Sequence, residues 1–410
     1  MTNILVAAMP APGHVNPMLT VASHLRDCGY RVVFNTSEVF RNHVESAHIR
    51  FVPLEGFANF DYRRLDDAFP ERKNFAPGPD QLAHDFKYGF GRPIPDQYRG
   101  IRKIMNELDV DLIMTDVGFI GTFPLLLGSR NARPPIVSCG VLPMFLGSAK
   151  GADAGMLEPV QQYMNQLLNE CGAPPMPAFF LDCLYTLPDH FLQFTAEAFE
   201  FPRSDMPPNV RFVGPLLPKA SWRFQKPDWW GDLDGSKPVV LVTQGTIANE
   251  DSSQLIEPVL TGLGGEDVLL VVANGGRDLA GISAPIPPNA IVERFIPFDE
   301  ILPRVDVFVT NGGYGGVNQA LSMGVPVVVA GMTEDKPLVA ARVAWSGAGI
   351  NLETDRPSPD QVRTAIRTVL SDSGYRQKAR LLQTSFAQYD ALHEIAETVD
   401  TLLGAGVSQP

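Results

Sequence analysis

Residues Asp306–Lys336 read DVFVTNGGYGGVNQALSMGVPVVVAGMTEDK. The apolar run Val307–Thr310 enters a glycine cluster, Gly312, Gly313, Gly315 and Gly316, and a short helical pattern follows. A second apolar run, Val325–Ala330, leads to Glu334, Asp335 and Lys336. Strand, glycine turn and helix N-terminus make an anion site. The helix offers unpaired N–H groups and a partial positive charge, and glycine lets a phosphate approach the backbone. The stretch therefore predicts a ligand carrying a diphosphate. Its candidate contacts are Asn311, Gly312, Gly313, Tyr314, Gly315, Gly316 and Gln319. Carboxylates would repel a phosphate, so the acidic pair is expected to face neutral hydroxyls; an exposed charge pair at a helix start is the other reading.

The same logic recurs upstream. VVLVTQGT (Val239–Thr246) is a strand running into a turn. Thr243, Gln244 and Thr246 can bond phosphate there, and Gly245 allows close approach. The first strand, Asn3–Met9, ends in MPAPGHVNP (Met9–Pro17). No GxGxxG is present here, and Asn318 stands where the later glycine cluster would need its third glycine, which disfavours a dinucleotide-dependent dehydrogenase. Instead His14 is placed on the turn between strand and helix. This is the carboxyl end of a parallel strand, where open α/β sheets hold their ligands. A neutral imidazole at that edge can act as a general base. Asp116 ends another apolar run, DLIMTD, and is the candidate to orient the imidazole. An N-cap is its alternative role. Asp109 and Asp111 are weaker candidates, lying before and near the start of that strand.

Short apolar runs alternate with helical patterns along most of the chain. Asn3–Met9, Tyr30–Asn35, Val110–Thr115, Pro135–Ser138 and Phe191–Thr195 form one series of expected strands. Val239–Thr243, Val268–Ala273, Ala290–Val292, Val307–Thr310 and Val325–Ala330 form a second. Met18, Val21, Ala22 and Leu25 recur at helical spacing, with Asn16 as expected N-cap and Pro17 in the first turn. Buried strands separated by helices imply parallel sheets covered on both faces. The expected class is α/β, with two doubly wound parallel-sheet, Rossmann-like domains facing across a cleft. Residues 1–214 form the first domain, 215–237 a linker rich in Pro, Gly and Trp, and 238–385 the second domain. Residues 386–410 are expected to be helical, either on the surface or crossing back to the first domain. Phe57–Phe90 fits neither series. Its aromatics, among them Phe60, Phe86 and Phe90, suggest a binding loop, a flap packed by its own rings, or both.

Composition narrows the function classes. Lys and Arg number 33 against 46 Asp and Glu, a net charge of −13, which argues against a general nucleic-acid surface. No apolar run reaches the roughly 18–20 residues that span a bilayer. The longest, Val117–Gly128, is broken by Gly121 and Pro124. Cys28, Cys139, Cys171 and Cys183 show no CxxC or metal spacing, so reduced thiols in a cytoplasmic protein are expected.

Taken together, APGHVNP, FVGPLLP, VTQGT, RFIPFDEILPRVDVFVTNGGYGG and ALSMGVPVVVAGMTEDKPLVAARVAWSGAG resemble the family 1 glycosyltransferases with the GT-B fold, particularly bacterial macrolide- and phenol-type enzymes. The resemblance covers nearly the whole chain. It implies an inverting, metal-independent hexosyl transfer in which His14 deprotonates an acceptor hydroxyl with Asp116 behind it. The leaving group is a nucleoside diphosphate. UDP-glucose is the leading donor and a dTDP-sugar the other, with no further cofactor. By family position Phe295 stacks on the base where a tryptophan is usual, although on residue type alone it reads as ordinary core. Thr246 and Gly312–Gly316 hold phosphates, and Asp335 and Lys336 contact the sugar. Four features depart from the family pattern. Asn311 replaces a histidine, Gly315–Gly316 replace a step bearing a hydroxyl, and Phe298 and Lys336 replace glutamines. Lys336 is the candidate to restore positive charge. An apolar or aromatic acceptor is expected near Phe60, Phe86, Phe90, Phe119, Met144 and Phe145. A nucleotide-sugar epimerase on the same scaffold and a non-catalytic helper are the alternative functions.

Overall fold

A computed structural model of the chain describes residues 2–76, 78–145, 153–217, 224–245 and 249–404. The chain divides into two compact units. The first runs up to Phe194 and includes Arg203–Val213 and the helix Ala391–Leu402. The second comprises Thr195–Pro202 and Gly214–Tyr389. The described part of the expected linker packs into this second unit, where Phe224, Trp229 and Trp230 lie on its core. Large rings bury too much apolar area to be left in a free tether.

The first unit is built on a seven-stranded sheet. Its strands are β1 (Asn3–Ala7), β2 (Arg31–Thr36), β3 (Arg50–Pro53), β4 (Leu112–Asp116), β5 (Ile136–Gly140), β6 (His190–Gln193) and β7 (Val210–Phe212). They lie in the order β3-β2-β1-β4-β5-β6-β7, and every pairing is parallel. The strand order reverses between β1 and β4, so the connections leaving them diverge and open a crevice at their carboxyl ends. Ala7 lies opposite Thr115 across this step.

The second unit repeats the plan with β8 (Val239–Thr243), β9 (Leu269–Ala273), β10 (Ala290–Glu293), β11 (Val307–Thr310), β12 (Val327–Val329) and β13 (Gly349–Asn351). The order is β10-β9-β8-β11-β12-β13, again all parallel. Successive residues serve opposite faces. Val239 and Leu241 join one core with Phe308 and Val329, while Val240 and Val242 join the other with Val309 and Val328. A sheet buried on both sides is what continuous Val-rich runs encode. Here the order reverses between β8 and β11, with Thr243 opposite Thr310.

Three features differ from the sequence expectation. Strands β3, β7 and β13 emerge only in the structure. Each is three or four residues long and ends its sheet or lies at its edge, where few neighbours impose an apolar pattern. The first helix starts at Pro12, not Pro17, and its N-cap is Ala11. Pro12 takes the first-turn position whose N–H would be unpaired anyway, and Pro17 lies inside the helix. His14 therefore belongs to the first helical turn rather than to the loop before it. Finally, Phe57–Phe90 folds into a chain of short helices ending in a π-helical turn, Phe86–Gly91. Its rings pack on each other, with Phe60 against Phe69 at 5.5 Å and His84 against Tyr88 at 4.6 Å. The Tyr62 N–H donates to Pro10 O at 3.0 Å and pins this flap beside the first turn.

Candidate active site

In the first unit, the crevice between β1 and β4 brings His14 and Asp116 together. Both are buried, 7 % and 1 % exposed. The imidazole Nδ1 lies 2.6 Å from Asp116 Oδ1. The carboxylate is also held by the protein backbone. Oδ2 accepts from the Met9 N–H at 2.6 Å, and Oδ1 accepts from the Gly118 N–H at 2.7 Å. A carboxylate ringed by donors makes Nδ1 the protonated nitrogen of a neutral imidazole. Nε2 then carries the free lone pair, the arrangement a general base requires. Asp111 does something else. Its Oδ2 accepts from the Asn3 N–H at 2.8 Å at the amino end of the sheet, and Asp109 O accepts from Asn3 Nδ2 at 2.7 Å. Neither is near the carboxyl edge.

A small apolar pocket adjoins this pair through Val117 and Gly118. Phe86, Phe90 and Phe145 line it, so three of the expected acceptor residues converge. The others lie elsewhere. Phe119 and Met144 are buried, Phe119 in the core of this unit, and Phe60 stays within the flap against Tyr62 and Phe69. The far wall, Met164, Phe180, Leu181 and Leu184, escaped the sequence reading. Its helices, Asp153–Glu170 and Phe180–Thr186, show only ordinary helical apolar spacing.

The second unit's crevice is made of backbone. Thr243 and Thr310, side by side, each begin a Thr-x-Gly turn. The Gly245 N–H donates to Thr243 Oγ1 and the Gly312 N–H to Thr310 Oγ1, both at 3.2 Å. Both glycines adopt left-handed backbone, φ +71° and +96°. Asn311 ties the two turns together, its Nδ2 donating to Gln244 O at 2.5 Å. The Gln244 side chain is turned inward, donating to Asp251 O at 2.9 Å and accepting from the Ile256 N–H at 3.0 Å. Thr246 lies outside the described residues. A third turn packs against the first. A Cβ at Gly275 would lie 2.0 Å from Gly245 O. Asn274-Gly275-Gly276 repeats the triplet Asn311-Gly312-Gly313, a signal in plain view that the sequence reading passed over.

The helix Tyr314–Ser322 starts at this edge. A Cβ at Gly313 or Gly315 would meet nothing within 4 Å, so both present bare backbone to open space. At Gly316 it would lie 3.5 Å from the Phe298 ring, which packs edge-on against Phe308. Tyr314 is buried and Gln319 half-buried on the same helix. Phe295 is 66 % exposed, which overturns its reading as ordinary core. Asp335 occupies the N-cap position of the helix Lys336–Ser346. Lys336, 5 % exposed, runs its stem beneath Gly331 and beside Gly312. Its ammonium pairs with Glu334 and donates to Thr333 Oγ1 at 3.3 Å. Glu334 itself holds a left-handed backbone, φ +57°, uncommon for a residue with a side chain. Among the described residues no three His, Cys, Asp or Glu side chains gather in a metal-binding cluster. No helix there is long and apolar enough to cross a membrane.

Residues 257–402 match the family "erythromycin biosynthesis protein CIII-like, C-terminal domain". The chain is 37 % identical to 4'-demethylrebeccamycin synthase of Lentzea aerocolonigenes, over 98 % of this chain and 99 % of that protein. It is 32 % identical to UDP-glucosyltransferase A1 of Starmerella bombicola, over 97 % and 92 %. Among solved structures, the calicheamicin glycosyltransferase CalG4 superposes with a TM-score of 0.76 over all of both chains at 22 % identity. The spinosyn rhamnosyltransferase SpnG does so with a TM-score of 0.75 over 98 % and 100 % at 18 % identity. These neighbours carry the GT-B fold, the two-sheet plan described above. With relatives matched along their whole length and that fold in hand, the chain belongs to the family 1 glycosyltransferases of the natural-product type and is a glycosyltransferase.

Proposed function

We propose that this enzyme transfers a sugar, with inversion, from a nucleoside diphosphate donor to a hydroxyl of an apolar or aromatic small molecule. UDP-glucose is the leading donor, supported by relatives named as UDP-glucosyltransferases. The observation that carries the reading is the His14–Asp116 pair set against an apolar pocket. The acceptor hydroxyl gives its proton to His14 Nε2 as its oxygen bonds to the anomeric carbon. The bond from that carbon to the diphosphate breaks, and its electron pair leaves on the phosphate oxygen. Asp116 stabilises the imidazolium. An epimerase would need no acceptor pocket, so the pocket favours transfer.

The donor role falls to the second unit. Backbone N–H groups at the helix start around Gly313–Gly315 would receive the developing negative charge, with the paired Thr-x-Gly turns shaping the edge beside them. Phe295 offers an exposed ring for the base, while Asp335 and Lys336 stand for the sugar. A reducing, cytoplasmic setting is the one we propose for the chain's four thiols.

The test pairs a thermal-shift screen of nucleotide sugars with the variant His14→Ala. Removing a general base is expected to lower kcat by about 10²–10⁴-fold and to leave UDP binding unchanged. Full transfer activity in a folded His14→Ala protein would sink the proposal.

A further inference from the structure

We infer that Gly118 is a positioning residue of the transfer site, required because it leaves room for the His14–Asp116 pair. This deepens the proposed reaction and rests on it. Gly118 does not adopt left-handed backbone, so chain conformation does not demand a glycine there. Space does. A Cβ at this position would lie 2.9 Å from Met9 Sδ and 3.1 Å from both Asp116 Oδ1 and His14 Cε1. The sulfur is the end of a flexible side chain and can swing away. The other two atoms belong to partners joined at 2.6 Å. They can yield a few tenths of an ångström only by changing that bond.

The backbone cannot retreat either. The Val117 N–H donates to Cys139 O at 2.9 Å, the Phe119 N–H to Asp116 O at 3.1 Å, and the Gly118 N–H to Asp116 Oδ1. Phe119 is locked in the core, and the space beside Gly121 is filled by Gln97, whose Oε1 accepts the Gly121 N–H at 2.8 Å. Gly118 thus holds one carboxylate oxygen through its N–H and, lacking a Cβ, leaves room for the imidazole edge. It also forms part of the pocket wall next to the pair. A side chain here would rotate the ring about its tether to Asp116. Nε2, at the far side of that ring, would be carried off the line to the acceptor hydroxyl.

Gly118→Ala is expected to lower kcat by about 10²-fold, the scale of a sub-ångström to ångström misplacement of a reacting group, with KM for UDP-glucose unchanged. The His14 Nδ1–H proton resonance of the resting protein should shift or be lost to exchange. That readout needs no turnover, so it tests the inference even where the choice of donor or acceptor is wrong. Met9→Ala/Gly118→Ala removes the closest contact and keeps the two with the pair. It is the variant to use if Gly118→Ala alone does not fold. It is expected to remain as slow as Gly118→Ala. Wild-type kcat and an unmoved Nδ1–H resonance in folded Gly118→Ala would overturn the inference. So would full recovery in the double variant, which would assign the effect to Met9 packing.

Discussion

Asp116→Asn changes one atom and sets two demands against each other. Three N–H groups point at the two carboxylate oxygens, from His14, Gly118 and Met9, at 2.6, 2.7 and 2.6 Å. An amide has one oxygen and one NH₂. If its oxygen faces His14 and Gly118, the NH₂ opposes the Met9 N–H. If it faces Met9, the NH₂ opposes the Gly118 N–H, and His14 must move its proton to Nε2 to accept from the amide. The second orientation destroys the base. The first keeps the tautomer but removes the charge that stabilises the imidazolium. Each leaves one buried donor facing another donor, which costs about 1–3 kcal/mol of stability. The catalytic loss is larger. The same exchange in a serine protease triad lowers kcat by about 10⁴. Because one orientation here spares the tautomer, on the order of 10³–10⁴ is expected, or roughly 4–5.5 kcal/mol in the barrier. Initial rates of UDP release at saturating donor and acceptor measure kcat, and a urea melt measures the stability term. His14→Ala/Asp116→Asn should be no slower than His14→Ala alone, since the pair acts as one unit. A folded Asp116→Asn enzyme with kcat within tenfold of wild type would refute the reasoning, as would additive losses in the double variant.

Other expectations follow from single sites. Phe295→Ala should weaken UDP binding by roughly 1–3 kcal/mol, the worth of one base–aromatic stack, without changing the melting temperature, because its ring is largely exposed; unchanged UDP affinity by calorimetry would remove Phe295 from the donor site. Arg342→Met should destabilise the protein by about 3–5 kcal/mol, since it removes the cation paired with Glu200, whose Oε2 accepts from Arg342 at 2.7 and 2.9 Å with both side chains buried; a denaturation midpoint equal to wild type would contradict this. Asp189 gives a pH test. Burial opposes its charged form, but bonds from Arg133 and from the Ile136 N–H outweigh it and hold the carboxyl below the usual range. A depressed folded-state value stabilises above the unfolded value and fades as pH falls through the folded one. Asp189→Asn should therefore lower the melting temperature near neutral pH, with the gap closing in acid; a gap that persists or widens in acid would contradict the assignment.

The two crevices were not equally legible, and the reason is chemical. In the first unit the groups proposed for catalysis are side chains of rare function. A histidine and an aspartate at the ends of two apolar runs can be picked out singly, and the topology then decides whether they meet. They do, because β1 and β4 are neighbours at the reversal of strand order. What stayed hidden was Gly118. A glycine chosen for space, with no special backbone angle, leaves no trace beyond its own letter. The pocket was half visible for a related reason. Phe86, Phe90 and Phe145 lie in irregular segments where aromatics stand out, while Met164 and Leu181 lie on helices where apolar residues are the rule.

In the second unit the groups we propose for donor binding are backbone N–H groups, which no residue letter announces. Only their side effects can be read: glycines where the chain must turn left-handed, and a threonine two residues before to receive the N–H. Those marks appear as TQG and TNG at the ends of adjacent strands, and the sequence reading took them for phosphate-bonding side chains. The structure gives Thr243 and Gln244 another task. Their polar atoms shape the loop, and the surfaces left open are bare backbone at Gly313 and Gly315. This also changes the meaning of the departures at Asn311 and Gly315. Asn311 supplies no cation, but it fastens one Thr-x-Gly turn to the other. Gly315 gives up a hydroxyl and exposes the first turn of a helix, where N–H groups lack intrahelical partners. A diphosphate bound there would be met chiefly by backbone dipoles fixed in place before it arrives. Such a site needs little rearrangement as charge builds on the leaving oxygen. Lys336 then stands as a buried cation one shell away, already paired with Glu334. Removing its charge with Lys336→Gln should therefore weaken UDP binding by less than Phe295→Ala does. A larger loss, by calorimetry, would show that the ammonium leaves Glu334 to meet the ligand.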